Sequence, residues 1–393
     1  MQYRVNPRNG QALSALGYGC MRFTTKGGSI DQEKANRELK RALDLGVNYF
    51  DTAYIYPGSE AALGSFIKTY DCRDRINIAT KLPQYRVKRP EDFDAFFDEE
   101  LRRLGTDRID YYLMHMMNDA RSFERLCALG LKEWVKGKKD AGQIRNVGFS
   151  FHGGTVAFKA LLDAWDWDFC QIQLNYMDER SQAGVEGLEY AHAKGLPVVI
   201  MEPLRGGKLA GGMPRDAQKV FEAAQPRRSP AEWGLRWLWN REEVTVVLSG
   251  MNDVSQVEEN CRVASEALPN ALTPEDLALY GRVLEALKKG MRVGCTGCGY
   301  CQPCPKGVAI PTCFAAYNDS FAEGLFAGMK EYMMCTTLRR VRSNAGLCVK
   351  CGKCEAVCPQ HLPIRQALDD VKKRLENPFY KIAAAAAPLV LKY

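Results

Sequence analysis

A chain of 393 residues that is 46% hydrophobic and 26% charged is neither intrinsically disordered nor collagen-like, and it is long enough for one large domain and a smaller second one. No run approaches the roughly 18 apolar residues of a membrane span, and the opening MQYRVNPRNG lacks the apolar stretch of a secretory signal, so the expected location is cytoplasmic with no membrane partner. The formal charge of +7 does not point to nucleic acid, because basic residues alternate with acidic ones, as at Arg102, Arg103, Asp107 and Arg108.

In chain order, short β-branched or aromatic runs alternate with longer stretches of helical periodicity. Strands are expected at 16–22, 49–53, 76–81, 109–115, 146–150, 169–174, 197–202 and 244–249. Helices are expected between them at 32–45, 60–69, 90–104, 123–140, 155–164, 182–194, 231–240 and 255–265, with Gly46, Gly105, Gly142 and Gly195 placed as C-caps. Eight strand–helix units over about 250 residues fit a (β/α)8 TIM barrel. The alternative, a doubly wound open sheet, ordinarily shows a GxGxxG turn after its first strand, and Gly17-Tyr18-Gly19-Cys20 is not one. The expected organisation is a barrel over residues 1–272, a connecting helix over 273–290, a cysteine-rich domain over 291–375 and a tail over 376–393.

Barrel enzymes carry their chemistry at the C-terminal ends of strands. Asp51 ends the second apolar run with Tyr56 five residues on, Lys81 ends the third and His115 ends the fourth. Taken singly, each has an ordinary structural role, as a turn cap, a packed ring, a rim lysine or a buried imidazole. Together at successive strand ends they form a coherent set. An ammonium favours the phenolate of a neighbouring tyrosine, an aspartate fixes that lysine, and a histidine can hold a carbonyl oxygen.

The segments D51-T-A-Y-I-Y56-P-G-S-E60, A79-T-K81-L-P and Y111-Y-L-M-H115 resemble the aldo-keto reductase superfamily over about residues 16–267. The resemblance implies a catalytic tetrad of Asp51, Tyr56, Lys81 and His115. It also implies NADP(H) or NAD(H) bound without a Rossmann domain, and hydride transfer to an aldehyde or ketone with Tyr56 supplying the proton. Ser150 and Gln171 match the positions that hold the nicotinamide carboxamide, and Met201 stands where many members have a stacking Tyr. Glu259 and Asn260 match an adenine-contacting pair. Gly250, Met251 and Gln256 replace the Lys, Ser and Arg that many members carry around the 2′-phosphate. Arg205 and Gly206, with Gly207 and Lys208, are suited to cradle the pyrophosphate, although an ordinary loop has the same composition. The substrate rim candidates are Arg22, which pairs readily with a carboxylate or with barrel-mouth carbonyls, together with Tyr54 and His152.

Of fifteen cysteines, ten lie between Cys295 and Cys358. The run Cys348, Cys351, Cys354, Cys358 followed by Pro359 has the spacing of a bacterial ferredoxin, and Cys295, Cys298, Cys301, Cys304 repeats it with one residue fewer before the last cysteine. Two [4Fe–4S] clusters are expected, the fourth cysteine of each run crossing to the other cluster, as in two-cluster ferredoxins. Paired zinc sites are the alternative. Eight thiolates and two oxidised cores would bring the net charge to about +3. Helices are expected around 311–321 and 328–340, making this an α-helical ferredoxin-like domain. The whole chain resembles the iron–sulfur branch of the aldo-keto reductases up to about residue 375.

Hydride carries two electrons and each cluster takes one, so joining the two halves calls for an intermediary. A flavin is the usual bridge, although no flavin motif is present. The leading expectation is an oxidoreductase acting on a small carbonyl or alcohol, with clusters that exchange electrons with a redox partner protein or that stabilise the fold. The alternative is an electron-transfer or binding protein whose barrel does not turn over carbonyls.

Overall fold

The computed structural model describes residues 1–211, 213–289, 291–295, 301–322, 324–337, 342–358 and 362–390. It divides into two compact units, one of Met1–Ala210 with Ser229–Thr273 and one of Gly211–Arg228 with Pro274–Tyr393. The segment Gly211–Arg228, which the strand–helix alternation leaves within the barrel range, thus groups with the C-terminal unit.

The first unit opens with a hairpin, β1 (Tyr3–Val5) and β2 (Ala12–Ser14), which period-2 reading did not reveal because its strands are only three residues long. The barrel strands are β3 (Leu16–Gly19), β6 (Tyr49–Asp51), β7 (Asn77–Leu82), β8 (Ile109–Met117), β9 (Ile144–Phe151), β10 (Phe169–Gln173), β11 (Val198–Met201) and β12 (Val244–Ser249). A second small hairpin, β4 (Thr25–Lys26) and β5 (Ser29–Ile30), follows the first of them. The eight strands close in the order β10-β11-β12-β3-β6-β7-β8-β9 with every pair parallel, so the open-sheet alternative is excluded.

Around them lie α1 (Gln32–Asp44), α2 (Ser59–Tyr70), α3 (Glu91–Leu104), α4 (Ala120–Ala128), α5 (Leu131–Asp140), α6 (Thr155–Asp163), α7 (Gly184–Ala193), α9 (Pro230–Trp239) and α10 (Val254–Glu266), with α8 (Arg215–Glu222) in the second unit. The expected single helix at 123–140 is in fact two, because Gly130 turns to φ +89° and redirects the chain. Asp31, Ser229 and Asp253 cap α1, α9 and α10 with their side chains.

Alternation along the strands sorts the barrel interior into layers. Tyr49, Ala79, Tyr111, Phe169, Val199 and Val246 pack into one apolar cluster with Leu13 of β2. Two residues further along the same faces come Asp51, Lys81, Gln171 and Met201, and His115 lies four beyond Tyr111. Glycine on β3 makes room for this core, since a Cβ at Gly17 would sit 2.8 Å from side-chain carbons of both Leu248 and Val246.

The second unit contains α8, α11 (Pro274–Lys289), α12 (Ile310–Ala322), α13 (Leu325–Tyr332), α14 (Lys353–Ala356), α15 (Ile364–Leu375) and α16 (Pro378–Val390). The helix expected at 328–340 starts earlier and gives way to a π-helical turn at Met333–Thr337. Val308, Ile310, Phe314, Tyr332, Leu368 and Val371 form its core. Among the described residues no helix is long and apolar enough to cross a membrane.

Candidate active site

Asp51 is the last residue of β6, and the chain then makes two tight turns, Tyr56 N–H to Ala53 O and Ser59 N–H to Tyr56 O, that return Tyr56 toward the barrel mouth. The start of α2 is tied back, with Ser59 Oγ donating to Cys20 O at 2.9 Å and lying 2.8 Å from Thr52 Oγ1. On the neighbouring strand the Lys81 ammonium, 1% exposed, donates to Asp51 Oδ1 at 2.6 Å and to the Thr52 carbonyl at 2.7 Å. Its Nζ lies 5.3 Å from the centre of the Tyr56 ring, and the Tyr56 and His115 rings meet edge to face with centres 6.0 Å apart. The structure therefore brings all four residues into one group, with Asp51, Lys81 and His115 buried and Tyr56 partly exposed at the mouth.

The electrostatics follow from this packing. Burial opposes a charge on Lys81, but Asp51 and Tyr56 outweigh it and hold the ammonium above its usual range. Burial pushes the Tyr56 phenol up while Lys81 pulls it back. His115 is pushed down to about 3 by burial, with Lys81 and His152 adding to the effect, so its ring is neutral at physiological pH. The thiol of Cys20, also fully buried beside Asp51, is pushed well up by burial. Sequence reasoning assigned Cys20 no role. It could not have found the Thr52 carbonyl at all, because a backbone acceptor leaves no residue-type signal.

On the far side of the barrel Ser150 and Gln171 are register partners on β9 and β10. Ser150 Oγ accepts from Met116 N–H at 2.9 Å, which leaves its own proton free to donate. Met116 takes φ +59° where the β8–β9 register shifts. Gln171 is 2% exposed, and its Oε1 has no hydrogen-bond partner in the structure. A hydroxyl donor beside a buried amide acceptor is the complement of a carboxamide, so these residues fit a nicotinamide. Met201 ends β11, partly buried against the interior cluster.

Gly206 and Gly207 turn at φ +68° and +95° just after β11, while Arg205 is held by Asp178 at 3.1 Å. Asn260 Nδ2 donates to Ser249 Oγ at 3.1 Å, Glu259 accepts from Ser229 Oγ at 2.5 Å, and Gln256 accepts from the Asn252 N–H. Arg22 lies over the loops after β11 and β12. A Cβ on Gly206 would be 2.8 Å from its Nη2 and one on Gly250 would be 3.1 Å from its Cδ, and Glu202 stands 3.9 Å away. His152 neighbours His115. Tyr54 is not brought into this group: its ring packs edge-on against Phe96 and under the Arg103 guanidinium of α3, 4.2 Å from the ring centre.

In the second unit a cavity of about 210 Å³ is lined by Cys301, Cys304, Cys348, Cys351 and Cys354, walled by apolar side chains that include Val308, Ile310, Val349, Val357 and Leu368. Thiols from both runs facing one apolar space fit an iron–sulfur cluster, and Cys304 meeting the 348–354 run is the pairing that crossed ligation requires. Cys295 and Cys358 pack against the core of this unit. Cys298 and Pro359 lie outside the described residues.

Residues 294–362 match a 4Fe-4S dicluster domain. The chain is 26% identical over 310 residues to an L-galactose dehydrogenase of Arabidopsis thaliana, covering 73% of this chain and 96% of that protein. It is 27% identical over 325 residues to an L-glyceraldehyde 3-phosphate reductase of Escherichia coli O157:H7, covering 71% and 91%. The holo form of an aldo-keto reductase from Bacillus halodurans superposes with a TM-score of 0.60 at 25% identity, covering 72% of this chain and 96% of that one. Residues 15–275, the whole strand-and-helix alternation, match the aldo/keto reductase family, and the chain belongs to that family as an oxidoreductase extended by a 4Fe-4S domain.

Proposed function

We propose that the barrel interconverts an aldehyde or ketone and its alcohol using NADP(H) or NAD(H), with the proton moved at the Tyr56 hydroxyl. We further propose that the C-terminal unit holds two [4Fe–4S] clusters on Cys295, Cys298, Cys301, Cys304, Cys348, Cys351, Cys354 and Cys358. The observation that carries the first part is the single group at the barrel mouth in which Asp51, Lys81 and His115 are buried against a partly exposed Tyr56.

When bound, the nicotinamide supplies or accepts the hydride. Ser150 would donate to its carboxamide oxygen and the Gln171 oxygen would accept from its amide, which would fix the cofactor's orientation. Met201 would lie on the nicotinamide side, Arg205 and Gly206 would hold the pyrophosphate, and Gly250, Gln256, Glu259 and Asn260 would serve the nucleotide end. The Lys81 ammonium stabilises the phenolate left when Tyr56 gives its proton to the substrate oxygen, and Asp51 with the Thr52 carbonyl fixes that ammonium. Being neutral, His115 offers an N–H to the same oxygen without placing a second cation beside Lys81. Arg22 and His152 border the mouth, and the cysteines of the second unit would hold clusters able to exchange single electrons with a redox partner protein or to stabilise the fold.

Tyr56→Phe tests the reading. Nucleotide binding should persist while carbonyl-dependent oxidation of NADPH or NADH falls by about 10²-fold or more. Normal turnover in that variant refutes the role of Tyr56. A wild-type protein that binds neither nucleotide refutes the nicotinamide reading.

A further inference from the structure

Cys348 is delivered by a short 3-10 turn, Ala345–Leu347, whose first two backbone donors are satisfied from distant parts of the second unit. Ala345 N–H donates to Tyr332 Oη at 2.7 Å, and Gly346 N–H donates to Glu376 Oε1 at 2.9 Å. Leu347 N–H and Cys348 N–H close on Asn344 O and Ala345 O within the turn. The same Glu376 Oε1 accepts from Tyr332 Oη at 2.6 Å and from Asn344 Nδ2 at 2.9 Å. Three donors on one oxygen suit a carboxylate, which only accepts. The approach is close enough that a Cβ on Gly346 would fall 2.7 Å from Glu376 Oε2. Glu376 itself stands at the C-terminal end of α15, beyond both cysteine runs, and Tyr332 ends α13 between them.

We infer that Glu376, with Tyr332, is the positioning residue for the Cys348 loop, and that its carboxylate sets a fixed negative charge on the segment that presents this ligand. The inference rests on the reading of Cys348 as a cluster ligand. A fixed negative charge disfavours the extra electron of a reduced cluster, so it lowers that cluster's midpoint potential. Remote groups that orient a ligand are as much a part of such a site as the ligand is.

The test uses the full-length protein reconstituted anaerobically with iron and sulfide and titrated with dithionite, which gives one electron to each oxidised cluster. Glu376→Gln keeps an acceptor oxygen in place without the charge. It should retain wild-type iron content while the EPR-monitored midpoint of one cluster shifts to more positive potential. Glu376→Ala removes the acceptor too, and it should lose the iron of one cluster or broaden that cluster's signal. An unchanged midpoint in Glu376→Gln overturns the charge effect, and full iron with a wild-type spectrum in Glu376→Ala overturns the positioning role. A wild-type protein that takes up no iron refutes the cluster reading beneath them instead.

Discussion

Replacing Lys81 with Met removes the cation from a pair in which both partners are shielded from water, Lys81 at 1% and Asp51 at 4% exposure. Asp51 Oδ1 loses its 2.6 Å bond, and Asp51 Oδ2 has no partner to begin with. A carboxylate left buried and uncompensated costs about 3–5 kcal/mol. At about 2–4 °C per kcal/mol for a unit of this size, the barrel should melt roughly 6–20 °C earlier. All six tryptophans, from Trp134 to Trp239, lie in the barrel unit, so intrinsic fluorescence follows its unfolding separately from the cluster-bearing unit. The double variant Lys81→Met with Asp51→Leu removes both charges and should recover most of the lost stability while remaining catalytically silent. If Lys81→Met lowers stability by less than about 1 kcal/mol, or if the double variant is no more stable than the single one, the ion pair is not the organising contact of the barrel mouth.

Two further outcomes follow from buried ionisable groups. Glu100 is fully buried on α3 near Glu60 and Tyr112, and burial followed by the Glu60 charge pushes its carboxyl well above the usual range. The folded state therefore keeps a proton that the unfolded chain releases near pH 4.3, and stability falls by about 1.4 kcal/mol per pH unit as pH rises from there toward the folded pKa. His115 and His152 act in the opposite sense below about pH 6.5, where the unfolded chain binds protons that the folded state refuses. Comparing Glu100→Gln with wild type in urea titrations between about pH 4.5 and 8 isolates the Glu100 contribution, since the histidines are common to both proteins, and the substitution should abolish it; identical slopes over that whole range would show that Glu100 titrates normally. Because His115 stays neutral down to about 3, the pH profile of kcat/KM should carry no histidine limb near pH 6.5, and finding one that disappears in His115→Gln would contradict the neutral-imidazole assignment.

Asp51, Lys81 and His115 were legible because each closes an apolar run, with Tyr56 in the loop that follows the first of them, and in a parallel barrel the ends of successive runs meet at one mouth whatever the details of packing. The eight strands were legible for the same reason, their interior face repeating every second residue from Tyr49 to Asp51 or from Ala79 to Lys81. The surroundings of Tyr54 were not legible, because proximity in sequence to Tyr56 says nothing about which side of a tight turn a ring takes, and its ring packs on Arg103 and Phe96 of α3. The break at Gly130 was hidden because the helical periodicity on its two sides was read as one pattern.

The sequence by itself determined the alternating fold, the residues that stand at the strand ends and the two cysteine runs, since all of these are consequences of spacing along one chain. Tertiary structure decided what spacing cannot encode. It paired Lys81 with both Asp51 and a backbone carbonyl, left Gln171 with a buried acceptor beside a hydroxyl donor, and laid Arg22 over two glycines from other loops. It also placed Glu376 on the turn before Cys348, thirty residues away in sequence from Gly346. Such contacts depend on donors, acceptors and charges meeting through space after burial has removed water as a competitor, and that condition exists only in the folded chain.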